Sequence, residues 1–333
     1  MTLLPSTIAQ IHERFPAVAF AGKPGIQQFN AHQTTLGESV VCRGIGLHSG
    51  AELTMRLLPA AADTGIVFIR TDISDRDEAS IPALFGSVCD VTLSTKIGNS
   101  HGHVVGTIEH LLAALAGMRV DNVIVEIDGP EVPIMDGSAQ PFVDLVRGAG
   151  VVELNAVRRA LRVKQPVRVS QGDSYCELLP EDGCVFEAEI DFQSGAIGRQ
   201  AYQLDLLDEK FDRNVAGART FCMLHQVEAM HSAGLALGGS IENAILVDGD
   251  VIMNEEGLRS PKEFVQHKLL DAIGDLYLLG LPMIGRYRGY KSGHALNNKL
   301  LRTLLATKDA WEVVTFEDAG TAPISFMRPA AAV

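Results

Sequence analysis

Three side chains near residue 270 have the types and the spacing to bind one metal ion. His267, Asp271 and Asp275 stand at i, i+4 and i+8, and at 3.6 residues per turn these positions share one face of a helix. An imidazole and a carboxylate one turn apart can bind the same ion, and nitrogen and oxygen ligands suit zinc. For this helix alone, a solvated polar face is an equally good explanation, because such faces are common on surface helices.

A second segment, Thr107-Ile-Glu-His110, offers a third ligand and a base. It opens an apolar run that we predict to be a helix, with Thr107 as its N-cap and Gly117 as the residue that stops it. His110 can be a metal ligand, and Glu109, about 100° away around the helix, can act on a water molecule there. Three protein ligands are typical of catalytic zinc and four of structural zinc. Alone, Glu109 is better explained as a carboxylate that complements the helix dipole.

A third segment, Lys291 to Lys299, places His294 at the start of another predicted helix, over about 294–307. Histidine can act as an acid or a base near a metal site, because its unperturbed pKa lies near neutrality. A nearby carboxylate such as Asp275 can hold the imidazole protonated. Taken alone, His294 is more simply a histidine at a helix N-terminus.

The elements that must position these side chains follow from hydrophobic periodicity. Residues 1–32 precede the periodic pattern and are predicted to be an N-terminal extension. Strands and two helices follow in 33–157, and strands and two main helices again in 158–333, which favours an α+β fold of two domains. The helix with the metal-binding spacing is predicted over about 261–279, opened by a capping box, Ser260-Pro261-Lys262-Glu263.

Composition excludes several classes of protein. The chain has 333 residues, is 47% hydrophobic and 21% charged, and has a net charge of −13, which is ordinary for a globular protein except for its acidity. The acidity argues against nucleic-acid binding, which needs a basic surface. The five cysteines include no CxxC pair, so neither a disulfide framework nor a Cys-type zinc site is expected. No apolar run approaches the ~20 residues that span a bilayer, and no secretory signal is predicted.

The glycine-rich segment Gly44-Ile-Gly-Leu-His-Ser-Gly50 is not a dinucleotide-binding loop. Its glycine spacing is G-x-G-x-x-x-G, and a strand rather than a helix is predicted to follow it. His48 in this segment can line a site, although a histidine in a turn is the simpler explanation.

Together these segments resemble one family, the zinc-dependent UDP-3-O-acyl-N-acetylglucosamine deacetylases of lipid A biosynthesis. The resemblance runs from about residue 34 to 325, in order and with few gaps. It is carried by Gly44-Ile-Gly-Leu-His48, Thr107-Ile-Glu-His-Leu-Leu-Ala-Ala-Leu115, Pro133-Ile-Met-Asp-Gly-Ser138, Ala218-Arg-Thr-Phe221, Gly238-Gly-Ser240, His267-Lys-Leu-Leu-Asp-Ala-Ile-Gly-Asp275 and Lys291-Ser-Gly-His-Ala-Leu-Asn-Asn-Lys299. It implies two domains of similar two-layer α/β sandwich topology, each a mixed sheet with two main helices, with the helices packed between the sheets.

The resemblance also implies a role for each residue that matches a family motif. It gives the zinc ligands as His110, His267 and Asp271. It gives the catalytic residues as the general base Glu109, the oxyanion-stabilising Thr220, the acid His294, and Asp275, which holds His294 cationic. It gives the substrate-binding residues as Lys268 for the phosphates, Phe192 for stacking on uracil, and Ala196 and Ile197 for a hydrophobic tunnel that takes the fatty acyl chain.

The implied substrate is a UDP-linked acylated amino sugar, and the implied cofactor is Zn²⁺. A UDP-sugar is a cytoplasmic metabolite, so we expect a cytoplasmic enzyme, acting as a monomer, without a nucleic-acid partner or an integral membrane segment. The chain departs from the family at Ser194-Gly195, where His-Pro is frequent, at Cys222-Met223, where Gly-Phe is frequent, at Ser174, where a lysine sometimes stands, and at Lys96, where a small or apolar residue is usual. None of these positions belongs to the predicted metal site.

Two alternatives stay open at this point. The chain could be a zinc amidohydrolase for a different N-acyl amino sugar, which would have no need of the insert near residues 192–202. It could also be a catalytically silent binding protein stabilised by zinc, which predicts a fourth protein ligand.

Overall fold

The computed structural model describes residues 17–20, 31–208 and 211–316. The extension predicted for residues 1–32 lies mostly outside these ranges. Seven α-helices occur in the described part, and we label them α1 to α7 in chain order: Arg76–Ala79, Glu109–Gly117, Gln140–Ala149, Phe211–Asn214, Leu224–Ser232, Glu263–Tyr277 and His294–Ala306. Short 3-10 turns occupy Phe85–Ser87 and Leu206–Asp208.

The strands in the same ranges are labelled β1 to β21. Their bounds are Val18–Phe20, His32–Leu36, Val40–Ile45, Glu52–Pro59, Ile66–Arg70, Ser80–Pro82, Val88–Asp90, Lys96–Gly98, Val104–Val105, Val123–Ile127, Val151–Val157, Arg159–Val163, Val167–Gln171, Ser174–Leu179, Cys184–Asp191, Arg199–Asp205, Phe221–Met223, Ile245–Asp248, Val251–Ile252, Met283–Tyr290 and Trp311–Phe316.

Two large mixed sheets form the structure, one from the first half of the chain and one from the second half together with β1. The first has the order β3-β4-β10-β5-β6, with β10 antiparallel to β4 and parallel to β5. The second follows the path β1-β21-β12-β20-β14-β13, and the hairpin β15-β16 joins it through β20. Three small sheets, β2-β11, β7-β8-β9 and β17-β18-β19, complete the set. The prediction of an α+β fold with mixed sheets is confirmed.

The main helices lie between the two large sheets. Helix α3 contacts β3 of the first sheet, α6 contacts β15 and β16, and α7 contacts β13 and β14 of the second sheet. Helices α2 and α6 pack directly on each other, and one continuous hydrophobic core includes residues from both halves. The division of the chain into domains 33–157 and 158–333 stays a prediction.

Both helices that were expected to carry metal ligands begin differently from the sequence prediction. Helix α2 begins at Glu109, and Thr107 does not cap it, because the Thr107 hydroxyl donates a hydrogen bond to Glu131 instead. Helix α6 begins at Glu263 without a capping box, because the Glu263 carboxylate accepts hydrogen bonds from the backbone N–H and the Nε of Arg219, at 3.1 and 2.9 Å. Arg219 is buried, and a buried cation needs a charged partner more than a helix terminus needs a local cap.

Helices α2 and α6 approach so closely that residue 274 must be glycine. A Cβ atom added to Gly274 would lie 2.0 Å from the carbonyl oxygen of Glu109, far inside van der Waals contact. This contact sets the first turn of α2 against the C-terminal half of α6. The first turn of α2 carries Glu109 and His110, and the facing part of α6 carries Asp271 and Asp275.

The substitution Gly274→Ala should therefore destabilise the protein, although alanine is the better helix former by ~1 kcal/mol. Forcing the helices apart should lower the free energy of unfolding by about 2 kcal/mol, measured by urea denaturation. The matched control is Gly148→Ala in α3, where an added Cβ meets nothing within 4 Å; its stability should stay the same or rise slightly. Equal stability of Gly274→Ala and the wild type would contradict the close approach.

Candidate active site

The structure brings the three predicted metal ligands together. His110 lies in the first turn of α2, and His267 and Asp271 lie one turn apart on α6, with candidate ligand atoms all within 4.8 Å of one another. Oδ1 of Asp271 is 3.6 Å from Nε2 of His110 and 3.3 Å from Nε2 of His267. The two imidazole rings meet edge to face with their centroids 5.0 Å apart. All three residues are buried.

Neighbouring groups hold His267 and Asp271 in the protonation states that metal binding requires. Nδ1 of His267 lies 3.0 Å from the carbonyl oxygen of Ala218, to which it donates, so the Nε2 lone pair is directed to the cluster. Burial lowers the pKa of His267 to about 3, which keeps the ring neutral. Burial opposes ionisation of Asp271, but the nearby ammonium of Lys268 helps to hold its pKa well below the usual value. Lys268 Nζ donates to the other carboxylate oxygen, Oδ2, at 2.6 Å.

Two imidazoles and one carboxylate are a donor set that suits a catalytic zinc ion with an open position. Within residues 17–20, 31–208 and 211–316, no fourth His, Cys, Asp or Glu belongs to the cluster. This composition disfavours the alternative of a silent, zinc-stabilised binding protein, because that alternative requires four protein ligands.

Glu109 is placed beside the cluster as a buried carboxylate. Its Oε2 accepts a hydrogen bond from the backbone N–H of Thr95 at 3.0 Å, and its Oε1 lies 3.9 Å from Nε2 of His294. Burial raises the pKa of Glu109, although the nearby imidazoles oppose the shift. A carboxylate with a raised pKa is a stronger proton acceptor than an exposed one, as a general base requires.

His294 begins helix α7 and is held by Asp275 of α6. Its Nδ1 lies 2.9 Å from Oδ2 of Asp275, which also accepts a hydrogen bond from Asn297 at 2.8 Å. The other oxygen of Asp275 accepts from the Thr95 hydroxyl at 2.6 Å. Burial opposes a charged imidazole, but the Asp275 carboxylate outweighs it and raises the pKa of His294 to about 10. At neutral pH His294 is therefore an imidazolium, with Nε2–H directed toward Glu109.

Comparison with known proteins matches the sequence of this chain to one family. A family model described as UDP-3-O-acyl N-acetylglycosamine deacetylase matches residues 33–306. The UDP-3-O-acyl-N-acetylglucosamine deacetylase of Pseudomonas entomophila (strain L48) is 51% identical over 304 residues, which are 90% of this chain and 99% of the relative. The protein of the same name from Vibrio parahaemolyticus serotype O3:K6 (strain RIMD 2210633) is 49% identical over 89% of this chain and 97% of the relative.

The chain belongs to the UDP-3-O-acyl-N-acetylglucosamine deacetylase family. The resemblance given by the sequence motifs is confirmed, and the family match covers both helices of the metal cluster as well as His294.

Three of the residues expected to bind substrate in this deacetylase family lie at the tip of the hairpin β15-β16. Phe192, at the end of the hairpin β15-β16, meets the ring of Phe221 at 5.6 Å, and Phe221 in turn meets the ring of His267 at 6.3 Å. Ala196 and Ile197, in the loop of the same hairpin, pack against the hydrophobic core. A single aromatic ring, that of Phe221, thus lies between the hairpin and the metal cluster.

Thr220 lies on the segment that orients His267. It is half-buried and stands two residues after Ala218, whose carbonyl binds the His267 ring. The backbone N–H of Thr220 donates to the carbonyl oxygen of Gly137 at 2.8 Å, where a side chain on residue 137 would overlap Asn243. The backbone at Thr220 is therefore fixed relative to α6.

Sequence reasoning missed three residues that organise the site. Thr95 binds both Glu109 and Asp275, and nothing in its local sequence distinguishes it from any other threonine. Asn297 binds the same oxygen of Asp275 as His294 does, and its i+3 spacing from His294 was a usable signal. Glu131 binds Thr107 and the segment around His48, and only long-range contacts reveal it.

Removing one ligand should remove the metal. His267→Ala should lower zinc affinity at least ~10-fold, because two ligands of three hold the ion poorly, and zinc per chain after dialysis should fall accordingly in elemental analysis. His294→Gln is the control, since His294 lies nearby without belonging to the ligand cluster, and its zinc content should equal that of the wild type. A full zinc complement in His267→Ala would remove His267 from the ligand set.

The basic limb of the pH profile should report His294. If catalysis needs the imidazolium, activity should fall as pH rises through the pKa of His294. Asp275→Asn removes the charge that raises this pKa, so the basic limb should move to lower pH by about one unit or more. The measurement is kcat/KM from pH 5 to 11 for both proteins. An unshifted basic limb in Asp275→Asn would show that another group governs it.

Proposed function

We propose that this chain hydrolyses the N-acetyl group of UDP-3-O-acyl-N-acetylglucosamine with the help of zinc. The products are acetate and UDP-3-O-acyl-glucosamine, and the reaction is the committed step of lipid A biosynthesis. The observation that carries the proposal is the cluster of two imidazoles and a carboxylate with a buried base and a half-buried acid beside it. Family membership supports the choice of substrate.

His110, His267 and Asp271 would hold the zinc ion. When bound, zinc supplies a Lewis acid that polarises the amide carbonyl and brings the pKa of a water ligand to about 7. The chain must provide the rest of an amide hydrolysis, namely a base for the attacking water, stabilisation of the oxyanion, and an acid for the departing amine.

Glu109 is the base in this proposal. Its Oε2 is engaged by the Thr95 N–H, so Oε1 is the oxygen that takes the proton. The raised pKa of Glu109 favours that transfer, and the opposing charge of His294, 3.9 Å from Oε1, keeps the carboxylate ionised beforehand. The hydroxyl of Thr220 stabilises the oxyanion.

His294 is the acid. Asp275 accepts a hydrogen bond from Nδ1, which fixes the orientation of the ring. The proton on Nε2 is then free to be transferred to the leaving amine. Because Asp275 also accepts from Thr95 and Asn297, it is held in place while the charge on the imidazole changes. The same carboxylate network thus orients the acid and, through Thr95, the base.

In this proposal, four side chains bind the phosphate, the uracil and the acyl chain of the substrate. The ammonium of Lys268 has three donors, of which one is used by Asp271, so the others can bind a phosphate. Phe192 provides an aromatic face for uracil, and Ala196 and Ile197 line the passage for the acyl chain. They lie in the insert near residues 192–202, at the tip of the hairpin β15-β16. A deacetylase for non-acylated sugars would not need this insert, so it favours the acylated substrate.

Two hydrogen bonds fasten the loop of this hairpin to the turn between β18 and β19. The Ser194 hydroxyl donates to the carbonyl oxygen of Gly249, and the Gly195 N–H donates to the carboxylate of Asp250, both at 2.5 Å. These are the positions where the sequence departs from His-Pro. The loop is therefore held here by polar contacts that the departure itself provides.

The setting follows from the substrate. None of the described helices is long and apolar enough to cross a membrane. In our proposal the enzyme works as a monomer on a UDP-sugar in the cytoplasm and needs no nucleic-acid partner.

The test is acetate release from UDP-3-O-acyl-N-acetylglucosamine, before and after chelation and after zinc is restored. Activity should be lost on chelation and return with zinc. Glu109→Gln should retain zinc and lose turnover by about 100-fold or more, because general-base catalysis is worth at least that factor. Acetate release that survives complete zinc removal, or wild-type turnover by Glu109→Gln, would overturn the proposed mechanism.

A further inference from the structure

Thr107 has an unusual backbone conformation two residues before the proposed base. Its φ is 53°, in the left-handed region, where a β-branched residue is strongly disfavoured. Thr107 is also buried. The residue therefore stays in this conformation only because its surroundings hold it there, and the chain direction it sets determines where helix α2 begins.

The group that holds Thr107 is the buried carboxylate of Glu131. Its Oε1 accepts from the Thr107 hydroxyl at 2.8 Å and from the backbone N–H of His48 at 2.8 Å. Its Oε2 accepts from the N–H and the hydroxyl of Ser49, at 2.9 and 2.8 Å. Four donors thus surround one carboxylate that is only 4% exposed, and charge-assisted hydrogen bonds of this kind are among the stronger ones in proteins.

The backbone around Thr107 and Glu131 is paired as well. The Gly106 N–H donates to the carbonyl oxygen of Pro130 at 2.9 Å, and the Val132 N–H donates to that of Gly106 at 3.0 Å. The two segments therefore run side by side up to Thr107. The left-handed turn then directs the chain into α2.

The Glu131 carboxylate also explains the glycine-rich segment of residues 44–50, which is not a dinucleotide-binding loop. A Cβ on Gly46 would lie 2.5 Å from Oε2 of Glu131 and 2.3 Å from the Ser49 hydroxyl. Glycine is needed at position 46 so that the segment can close around a side chain of this protein. The spacing of the glycines in this segment thus reflects packing around an internal anion, the Glu131 carboxylate, and not around a bound phosphate.

We propose that Glu131 is a positioning residue that acts through Thr107: by stabilising the left-handed turn it directs Glu109 and His110 toward α6. The inference rests on the proposed metal site and is independent of the substrate. Zinc affinity is therefore the quantity to measure, because zinc binding requires no turnover of substrate. Failure of the proposed reaction would instead appear as a zinc-loaded wild type that releases no acetate.

The first experiment compares Thr107→Ala with Thr107→Gly. Both variants lose the hydroxyl that Glu131 binds, but only glycine adopts a positive φ without steric penalty. The zinc Kd, measured by competition with a chromophoric chelator, should weaken by about tenfold in Thr107→Ala and clearly less in Thr107→Gly. Equal zinc Kd values for the two variants would overturn the proposal, because the turn conformation would then be irrelevant to the metal site.

The second experiment asks whether Glu131 acts through the turn. Glu131→Gln should weaken zinc binding by about tenfold and lower kcat more than it changes KM. Adding Thr107→Gly to this variant should restore most of the zinc affinity, since glycine no longer needs the carboxylate to hold the turn. A double variant as weak as Glu131→Gln, or a Glu131→Gln protein with the wild-type zinc Kd, contradicts the proposal.

Ser49→Ala is the matched control. It removes a hydroxyl donor from the same carboxylate, but on the oxygen that faces away from Thr107. Its zinc Kd should equal that of the wild type. A loss as large as that of Thr107→Ala would mean that any disturbance of Glu131 weakens the site, which would remove Thr107 from the explanation. Circular dichroism of each variant shows that it is folded before its Kd is compared.

Discussion

The structure depends on one close contact between two helices. Gly274 of α6 lies against the carbonyl oxygen of Glu109 in α2, and no other residue type leaves room for that approach. The two helices come from different halves of the chain, so this contact is what joins His110 to His267 and Asp271. Interiors packed at crystal-like density transmit small displacements. Moving the helices apart by the width of a methyl group would therefore displace the proposed metal ligands directly.

Around that contact the chain arranges buried charges so that each has a partner. Asp271 faces two imidazoles with one oxygen and Lys268 with the other. Asp275 pairs with His294, and Glu109 lies within reach of the same ring. An unpaired ion in such surroundings would be strongly unfavourable, so the network is stable only as a whole. The shifted pKa values within this network allow the Glu109 carboxylate to accept a proton and the His294 imidazole to donate one.

Much of the site could be predicted from the sequence, because helical spacing places side chains on a common face. His267, Asp271 and Asp275 were recognisable on that basis, and the bounds of α7 follow the prediction closely, His294–Ala306 against about 294–307. The helix beginnings were wrong for a physical reason: the expected caps, Thr107 and Glu263, are each engaged by a buried charged residue far away in the chain. Thr95 and Glu131 were missed for the same reason, since their partners are set by tertiary contacts and not by spacing.

The central claim is that one zinc ion is shared by α2 and α6. Anomalous diffraction from crystals of the zinc-loaded protein, recorded at the zinc edge, tests it most directly. The account predicts one strong peak at ~2.0–2.2 Å from an imidazole nitrogen of His110, an imidazole nitrogen of His267 and a carboxylate oxygen of Asp271. A zinc peak bound by the α6 residues with His110 outside coordination distance, or a peak elsewhere in the protein alone, would contradict it.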